Sequence, residues 1–247
     1  MSMIDSRAHL AGLMSIDKST LPADGGERFN RLIFAGSPYL LTCPTTVQAN
    51  VTLTIDPGFP GFNPDRIAEA CEARGIPHLV LPAPIDTMVR KKPEITPCAM
   101  CSRLRRGVMY SFAKREGYTK IALGHHLDDL IETLLLNQFY EGRLSTMPVK
   151  LTSDDGANTV IRPMAYIEEE DLRRFAWLKG YPIVPCGCPL CGASTLESKR
   201  AHIKALIAQL RLTAPDIKFC MLNAMKNVKT SHLLDQNLLG LPEEYRK

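Results

Sequence analysis

Apolar residues alternate along the chain in two rhythms. Short runs at Leu32–Phe34, Val51–Ile55, His78–Pro82 and Lys120–Leu123 have strand length and are rich in Val, Ile and Leu. Between them lie stretches of helical period. Residues 64–74 read as a helix with Asn63 placed to cap it, Pro64 at its first position and Gly75 past its end. From Cys101 to Glu116, Met100, Leu104, Val108 and Phe112 recur every four residues and predict one buried stripe. Arg103, Arg105, Arg106, Lys114 and Arg115 fall largely off that stripe, and Gly117 closes the helix. Residues 127–140 place Leu127, Leu130, Ile131, Leu134 and Leu135 on one side. Ser153-Asp-Asp-Gly-Ala predicts a turn between two short strands, the second near Thr159–Arg162. Residues 168–179 form a helix whose first turn holds Glu168, Glu169, Glu170 and Asp171, where acids suit the macrodipole. Tyr181–Val184 reads as a strand, Ser194 and Glu197 as a capping box opening a long basic helix, and residues 217–229 as a further helix.

Strand and helix in alternation predict an α/β fold: a parallel sheet with helices on both faces. In such sheets ligands bind beyond the carboxyl ends of the strands. Residues 1–30 are polar and irregular and read as an N-terminal extension, 31–241 as a single α/β domain, and 242–247 as a tail. The 247 residues are 45% apolar and 23% charged, which excludes a disordered chain, a fibrous repeat and a simple coiled coil. A chain of this size buries enough surface to hold its core without disulfides. No apolar run approaches the roughly 18 residues of a spanning helix, and residues 1–13 lack the continuous apolar core of a secretory signal. The expectation is a soluble, cytoplasmic protein with no membrane partner.

Charge changes this picture through its distribution. The net charge is +4, yet residues 90–120 carry +7 and residues 199–229 carry +6, leaving −9 on the remainder. Two basic segments on an acidic chain point to a polyanion, nucleic acid first, with two solvated helix faces as the alternative.

Cysteine usage adds chemistry. Five of the eight cysteines fall in two tight groups, Cys98-Ala-Met-Cys101 and Cys186-Gly-Cys188-Pro-Leu-Cys191. In a cytosolic chain such groups are metal-site or redox geometry rather than structural disulfides. Two of them, each in a loop beside a strand or helix, suggest one shared site. Four thiolates at tetrahedral spacing suit zinc, and three around a cubane suit an iron–sulfur cluster with an open iron; cysteine number does not separate the two. Cys43, Cys71 and Cys220 are isolated and read as small apolar residues. A second candidate is Gly124-His-His-Leu-Asp-Asp129, where a strand gives way to a helix. Gly124 allows close backbone approach. Asp128 and Asp129 can hold a divalent cation or cap the helix, and His125 and His126 can meet a phosphate or a base.

These motifs together resemble one family. Cys98-Ala-Met-Cys-Ser-Arg-Leu-Arg-Arg-Gly107 is similar to the C-x-x-C-S-R-L-R-R-G motif of the tRNA 2-thiocytidine biosynthesis (TtcA) family, and Gly124-His-His-x-Asp-Asp129 to its second nucleotide-site motif. Asp56-Pro-Gly-Phe-Pro-Gly, Ser153-Asp-Asp-Gly156, Ile161-Arg-Pro163, Pro185-Cys186 with Cys191-Gly192, and Ser231-His-Leu233 follow in the family's order, so the resemblance spans about residues 51–241. It implies a PP-loop ATP pyrophosphatase with an adenine-nucleotide α-hydrolase-like (PP-loop/HUP type) fold. It implies adenylation of an anticodon-loop cytidine of tRNA, then replacement of the adenylate by sulfur. It also implies a 4Fe–4S cluster on three cysteines, whose free iron is proposed to carry incoming sulfide. The sites implied are catalytic Asp128 and Asp129; cofactor-binding Gly124, His125 and Asp56; metal-binding Cys98, Cys101, Cys186, Cys188 and Cys191; and RNA-binding Arg103, Arg105, Arg106, Lys199 and Arg200. The partners implied are tRNA and a cysteine-desulfurase-type sulfur donor, with room for a homodimer.

Two departures stand beside this resemblance. The family's first nucleotide motif, S-G-G-x-D-S, is absent. A loop of that kind cradles pyrophosphate with backbone N–H groups and serine hydroxyls. Where the family would place it stands Asp24-Gly-Gly-Glu-Arg-Phe29, with Asp24 and Phe29 at the serine positions and Glu27 adding negative charge. A second possibility is Ala35-Gly-Ser-Pro38. ATP and Mg²⁺ are therefore expected to be weakly held, and a non-catalytic relative that has lost ATP chemistry, holding an iron–sulfur cluster or zinc, is the alternative reading. The second cysteine group is also two residues longer than the family's P-C-x-x-C-G, so Cys186 and Cys188 compete for the third ligand position.

Overall fold

The computed structural model describes residues 31–35, 49–91, 96–189 and 195–233. Six strands, β1 (Arg31–Ala35), β2 (Ala49–Asp56), β3 (His78–Pro82), β4 (Lys120–Leu123), β5 (Lys150–Thr152) and β6 (Thr159–Ile161), form one sheet in the order β3-β2-β1-β4-β6-β5. Every neighbouring pair is parallel except β5–β6. The helices are α1 (Asp65–Glu72), α2 (Ile85–Arg90), α3 (Pro97–Arg115), α4 (Leu127–Tyr140), α5 (Glu169–Leu178), α6 (Thr195–Thr213) and α7 (Ile217–Lys226). The connections β2–α1–β3 and β3–α3–β4 run across the sheet in opposite directions. Right-handed crossovers therefore put α1 and α3 on opposite faces, as the alternating pattern predicts. The chain divides into two compact units, 1–203 and 204–247, and the sheet with all the candidate cysteines belongs to the first.

Alternation along β2 shows why both faces are covered. Val51, Leu53 and Ile55 point into a core with Ile85 and Val89 of α2, Met109, Phe112 and Ala113 of α3, and Ile121 and Leu123 of β4. Thr52 and Thr54, on the other face, are buried as well. A strand covered on both faces must be apolar or small at every position.

Some expectations need correction, and one element is additional. The first helix of the cysteine region begins at Pro97, not Cys101: Thr96 stands at its N-cap and Pro97 in its first turn. Cys98 and Cys101 thus lie on a helix rather than in a loop. Residues 181–184 form no strand, because Pro182 and Pro185 lack the N–H that a ladder needs. The short helix α2 was not foreseen; only Ile85 and Val89 mark its buried side. The turn at Gly156 is as expected: its φ is +68° and its N–H donates to the Ser153 carbonyl. The helix α1 begins one residue later than expected, with Pro64 rather than Asn63 at its N-cap; the Asn63 Oδ1 nonetheless accepts the Asp65 N–H at 2.9 Å. The N-terminal extension, the 242–247 tail, Asp24–Phe29, Gly36–Pro38, Cys191 and Ser194 lie outside the described residues.

Candidate functional site

Strands β2, β3, β4 and β6 are mutually aligned through β1, so their carboxyl ends share one edge of the sheet. The residues leaving that edge are Pro57-Gly58, Ala83, Gly124-His125 and Arg162. The chain direction of the crossovers reverses between β1 and β4, and such a switch point opens a crevice for ligands. In chain order Gly36-Ser37-Pro38 follows β1, the central strand, whereas Asp24–Phe29 precedes it.

On the β4 side, Asp129 accepts the His126 N–H at 3.1 Å and so caps its own helix. Asp128, buried, accepts the Glu169 N–H at 2.7 Å and so caps α5. The Leu127 N–H donates to the Ile167 carbonyl at 3.0 Å, which fastens the same two helices together. His125 sits beside Arg162, whose Nε donates to His125 Nδ1 at 3.2 Å. An imidazole nitrogen that accepts carries no proton, so the proton of neutral His125 is on Nε2. Burial above all, with Asp129 opposing and the nearby Arg162 and Arg106 guanidiniums adding to it, pushes its pKa down to about 4. Arg162, itself buried, also donates to the Pro148 carbonyl. Asp56 is used locally: its carboxylate accepts the Gly58 N–H at 2.9 Å. With Gly58, Pro82, Ala83 and Pro84 it lines a hollow of about 320 Å³.

The thiols lie along the same edge. Cys98 and Cys101, three apart on α3, share a helix face, and both are half-buried. Cys188 is half-buried against the core beside Cys101, and Cys186 is exposed. Burial pushes the Cys101 thiol up, Arg105 opposes it, and Cys188, Cys98 and Cys186 push it up further, in that order. The four sulfurs are therefore electrostatic neighbours. Among the described residues no three such donors crowd together as ligands of a single ion. What brings the 185–189 segment to this edge is a backbone contact with the turn after β2. Gly187 has φ +65°, and a Cβ there would stand 2.2 Å from both Gly61 C and Phe62 N. Only glycine permits this approach of the 185–189 segment to the turn after β2.

The arginines divide. Arg103 and Arg106 are exposed, and Arg106 lies within electrostatic reach of His125 and Arg162. Arg105 is half-buried over the Phe62 ring, 5.7 Å from its centroid, and its Nε and Nη2 are buried with no hydrogen-bond partner among the described residues. Lys199 lies 4.7 Å from the Tyr140 ring centroid. Arg200 pairs with the buried Glu132 at 2.9 Å and stands 3.7 Å from Asp129. Sequence reasoning assigned no role to Glu132, Arg162 or Gly187. An acid inside the apolar run of α4 was the available signal for the first, and the two-residue extension of the cysteine segment for the last. An iron–sulfur cluster fits these residues: neighbouring thiols, three of them half-buried, stand within electrostatic reach of Arg105, a cation whose buried N–H donors have no partner among the described residues.

No family model matches the chain. Three curated relatives carry the name tRNA-cytidine(32) 2-sulfurtransferase. That of Geobacter metallireducens is 43% identical over 190 residues, 76% of this chain and 73% of the relative. That of an Anaeromyxobacter species is 48% identical over 76% of this chain and 62% of its own length. That of Pelobacter propionicus is 38% identical over 95% of this chain and 87% of its own. Among solved structures, the U34-tRNA thiolase NcsA from Methanococcus maripaludis with its 4Fe–4S cluster matches with a TM-score of 0.67 at 17% identity, covering 91% of this chain and 80% of that one. The likeness shows a common fold, an α/β fold with a parallel sheet as expected from the sequence.

Proposed function

The chain belongs to the tRNA-cytidine(32) 2-sulfurtransferase family, and from that premise we propose that it replaces the 2-oxo group of a tRNA cytidine with sulfur at an iron–sulfur centre. The observation that carries this reading is the gathering of Cys98, Cys101 and Cys188 at the carboxyl edge of the sheet, in a chain of this family. Cys188 takes the third ligand position. It is half-buried beside Cys101 and acts on that thiol ahead of Cys98 and Cys186, whereas Cys186 faces solvent.

The chemistry asks for two displacements. A pyrimidine carbonyl oxygen is a poor leaving group, so the O2 atom first attacks the α-phosphate of ATP and pyrophosphate departs. Sulfide then adds at C2 and AMP leaves with the oxygen. A 4Fe–4S cluster on three thiolates supplies an iron position open to sulfide. The chain's own part is positioning and charge. His125 offers an Nε2–H donor at neutral pH, and Arg162 and Arg106 add positive charge where phosphate charge builds. Asp129 serves Mg²⁺, while Asp128 holds α5 in place through Glu169. Arg103, Arg106 and Lys199 meet tRNA phosphates; Arg200 acts from within, through Glu132. Sulfur comes from a cysteine-desulfurase-type donor.

The test is anaerobic reconstitution with iron and sulfide counted per chain, followed by mass spectrometry of tRNA nucleosides for 2-thiocytidine. Four irons and thiolated cytidine support the proposal. One zinc and no iron would replace it with a structural zinc site. A second reading is favoured by one observation, the absent S-G-G-x-D-S loop. It makes the chain a cluster-bearing tRNA binder without ATP turnover. Tight tRNA binding with no AMP or pyrophosphate released would select it.

A further inference from the structure

Cys98, Cys101 and Arg105 stand at i, i+3 and i+7 of α3 and so form one stripe along that helix. Arg105 differs from the two arginines beside it. Arg103 and Arg106 face solvent, whereas the Arg105 guanidinium lies over Phe62, with Nε and Nη2 buried and unpartnered among the described residues. No carboxylate pairs with it among those residues, although Arg90, Arg115, Arg173 and Arg200 all have one. A guanidinium never loses its proton, so two buried N–H donors on it call for an anion. Phe62 fixes the direction of the call. Its ring lies under Arg105, and its backbone touches Gly187, between Cys186 and Cys188. The orphaned donors are thus held between the α3 thiols and the segment that brings the third one. Exposed tRNA phosphates do not reach buried donors. An anionic sulfur centre held among these cysteines would lie beside Arg105, which already acts on Cys101.

We propose that Arg105 is a positioning residue of the sulfur centre: its Nε–H and Nη2–H donate to thiolate or inorganic sulfide of the cluster held by Cys98, Cys101 and Cys188, and so raise its reduction potential. The inference rests on the cluster reading above. Its physical basis is charge: reduction adds an electron to an already anionic centre, and a fixed cation with N–H···S bonds favours the reduced form. Lysine would keep the charge and lose the two-pronged geometry.

The experiment uses the full chain, reconstituted anaerobically, as wild type, Arg105→Gln and Arg105→Lys. Iron is counted first, and the midpoint potential is read by EPR-monitored titration. Arg105→Gln should disfavour reduction about tenfold, a shift of about 59 mV for one electron, with iron retained; Arg105→Lys should recover part of it. A second measurement needs no variant. Wild type with guanidino-¹⁵N arginine should show ¹⁵N and exchangeable-proton couplings to the reduced cluster, and it decides the matter if Arg105→Gln fails to load iron. Unchanged potential in an iron-loaded Arg105→Gln, or absent ¹⁵N coupling in wild type, overturns the inference while leaving the cluster reading intact. A fall in the salt dependence of tRNA binding with unchanged potential would make Arg105 a phosphate contact instead. Wild type with zinc and no iron would overturn both.

Discussion

His125 is the residue whose surroundings have the most direct consequence in solution. Its free imidazole titrates near 6.5, and in the folded chain it is pushed down to about 4 by burial and the Arg162 guanidinium. The unfolded chain therefore takes up a proton as pH falls through 6.5, and the folded chain does not until near 4. Stability is full above 6.5 and declines between those values, by up to about 1.4 kcal/mol per pH unit and about 3 kcal/mol in all. Denaturant unfolding from pH 7.5 to 4.5 should show this slope, and His125→Gln, which keeps an acceptor for Arg162, should flatten it. An unaltered slope in the variant would place the titration elsewhere. Gly187 is the second residue of this kind. Gly187→Ala adds a Cβ 2.2 Å from two backbone atoms of the Gly61–Phe62 turn, at a φ of +65°. The backbone conformation alone costs roughly 1–3 kcal/mol, and the collision must displace Cys188 from Cys101. The variant should keep its far-UV dichroism and lose most of its iron. Full iron loading would show that the segment tolerates another path.

Among the elements, α3 carries most of the argument, and it shows what a sequence discloses and what it conceals. The four-residue recurrence of Met100, Leu104, Val108 and Phe112 locates its buried side, and the structure packs all four against the core. The start was harder to read. Beginning the helix at Cys101 leaves Cys98 in a loop and hides the stripe of Cys98, Cys101 and Arg105; Pro97 at N1 was the local signal that moves the boundary. Strands β2, β3 and β4 were legible as short runs rich in Val, Ile and Leu bounded by turn residues, whether covered like β2 and β4 or at the sheet edge like β3, where Leu79 is exposed. Residues 181–184 carry the same apolar signal, but Pro182 within them and Pro185 just after them oppose a strand. The pairing of Glu132 with Arg200, 68 positions apart, was not legible at all, since no local period reports a tertiary ion pair. The same distinction separates the basic residues in function. Arg103→Ala with Arg106→Ala should lower the slope of log K against log salt for tRNA binding by about 0.7–0.9 per phosphate contact. Arg200→Ala should act first on stability, because it strips a partner from the buried Glu132. A double variant that binds tRNA identically at all salts would remove α3 from the RNA surface.

For the molecule as a whole the open matter is the nucleotide. No helix among the described residues is long and apolar enough to cross a membrane, and the sheet presents its ligand edge at the carboxyl ends of β1 and β4, as the fold demands. Chain order bears on which segment faces that crevice. Asp24–Phe29 precedes β1, whereas Gly36-Ser37-Pro38 follows it, and a phosphate loop of this fold leaves the carboxyl end of its strand. Neither segment repeats S-G-G-x-D-S. Each lost hydroxyl leaves a buried phosphate oxygen short of a donor, at roughly 1–3 kcal/mol apiece, so two such losses predict ATP binding weaker by about 30-fold or more than in a relative with the intact loop. On the proposed function, what remains is the adenylate side: His125 as an Nε2–H donor with Arg162 beside it, and Asp129 as the group proposed for Mg²⁺. The expected result is measurable but weak ATP binding by calorimetry, further weakened in Arg162→Met, and AMP and pyrophosphate release slower than that of the intact relative when tRNA and the loaded cluster are both present. Ser37→Ala against Glu27→Gln then separates the two segments. Loss of binding in the first with no change in the second assigns the phosphate to the residues after β1, and a gain of binding in Glu27→Gln would return it to the segment before. Turnover equal to the intact relative's would mean that backbone N–H groups and the Arg162 side chain suffice without the missing serines.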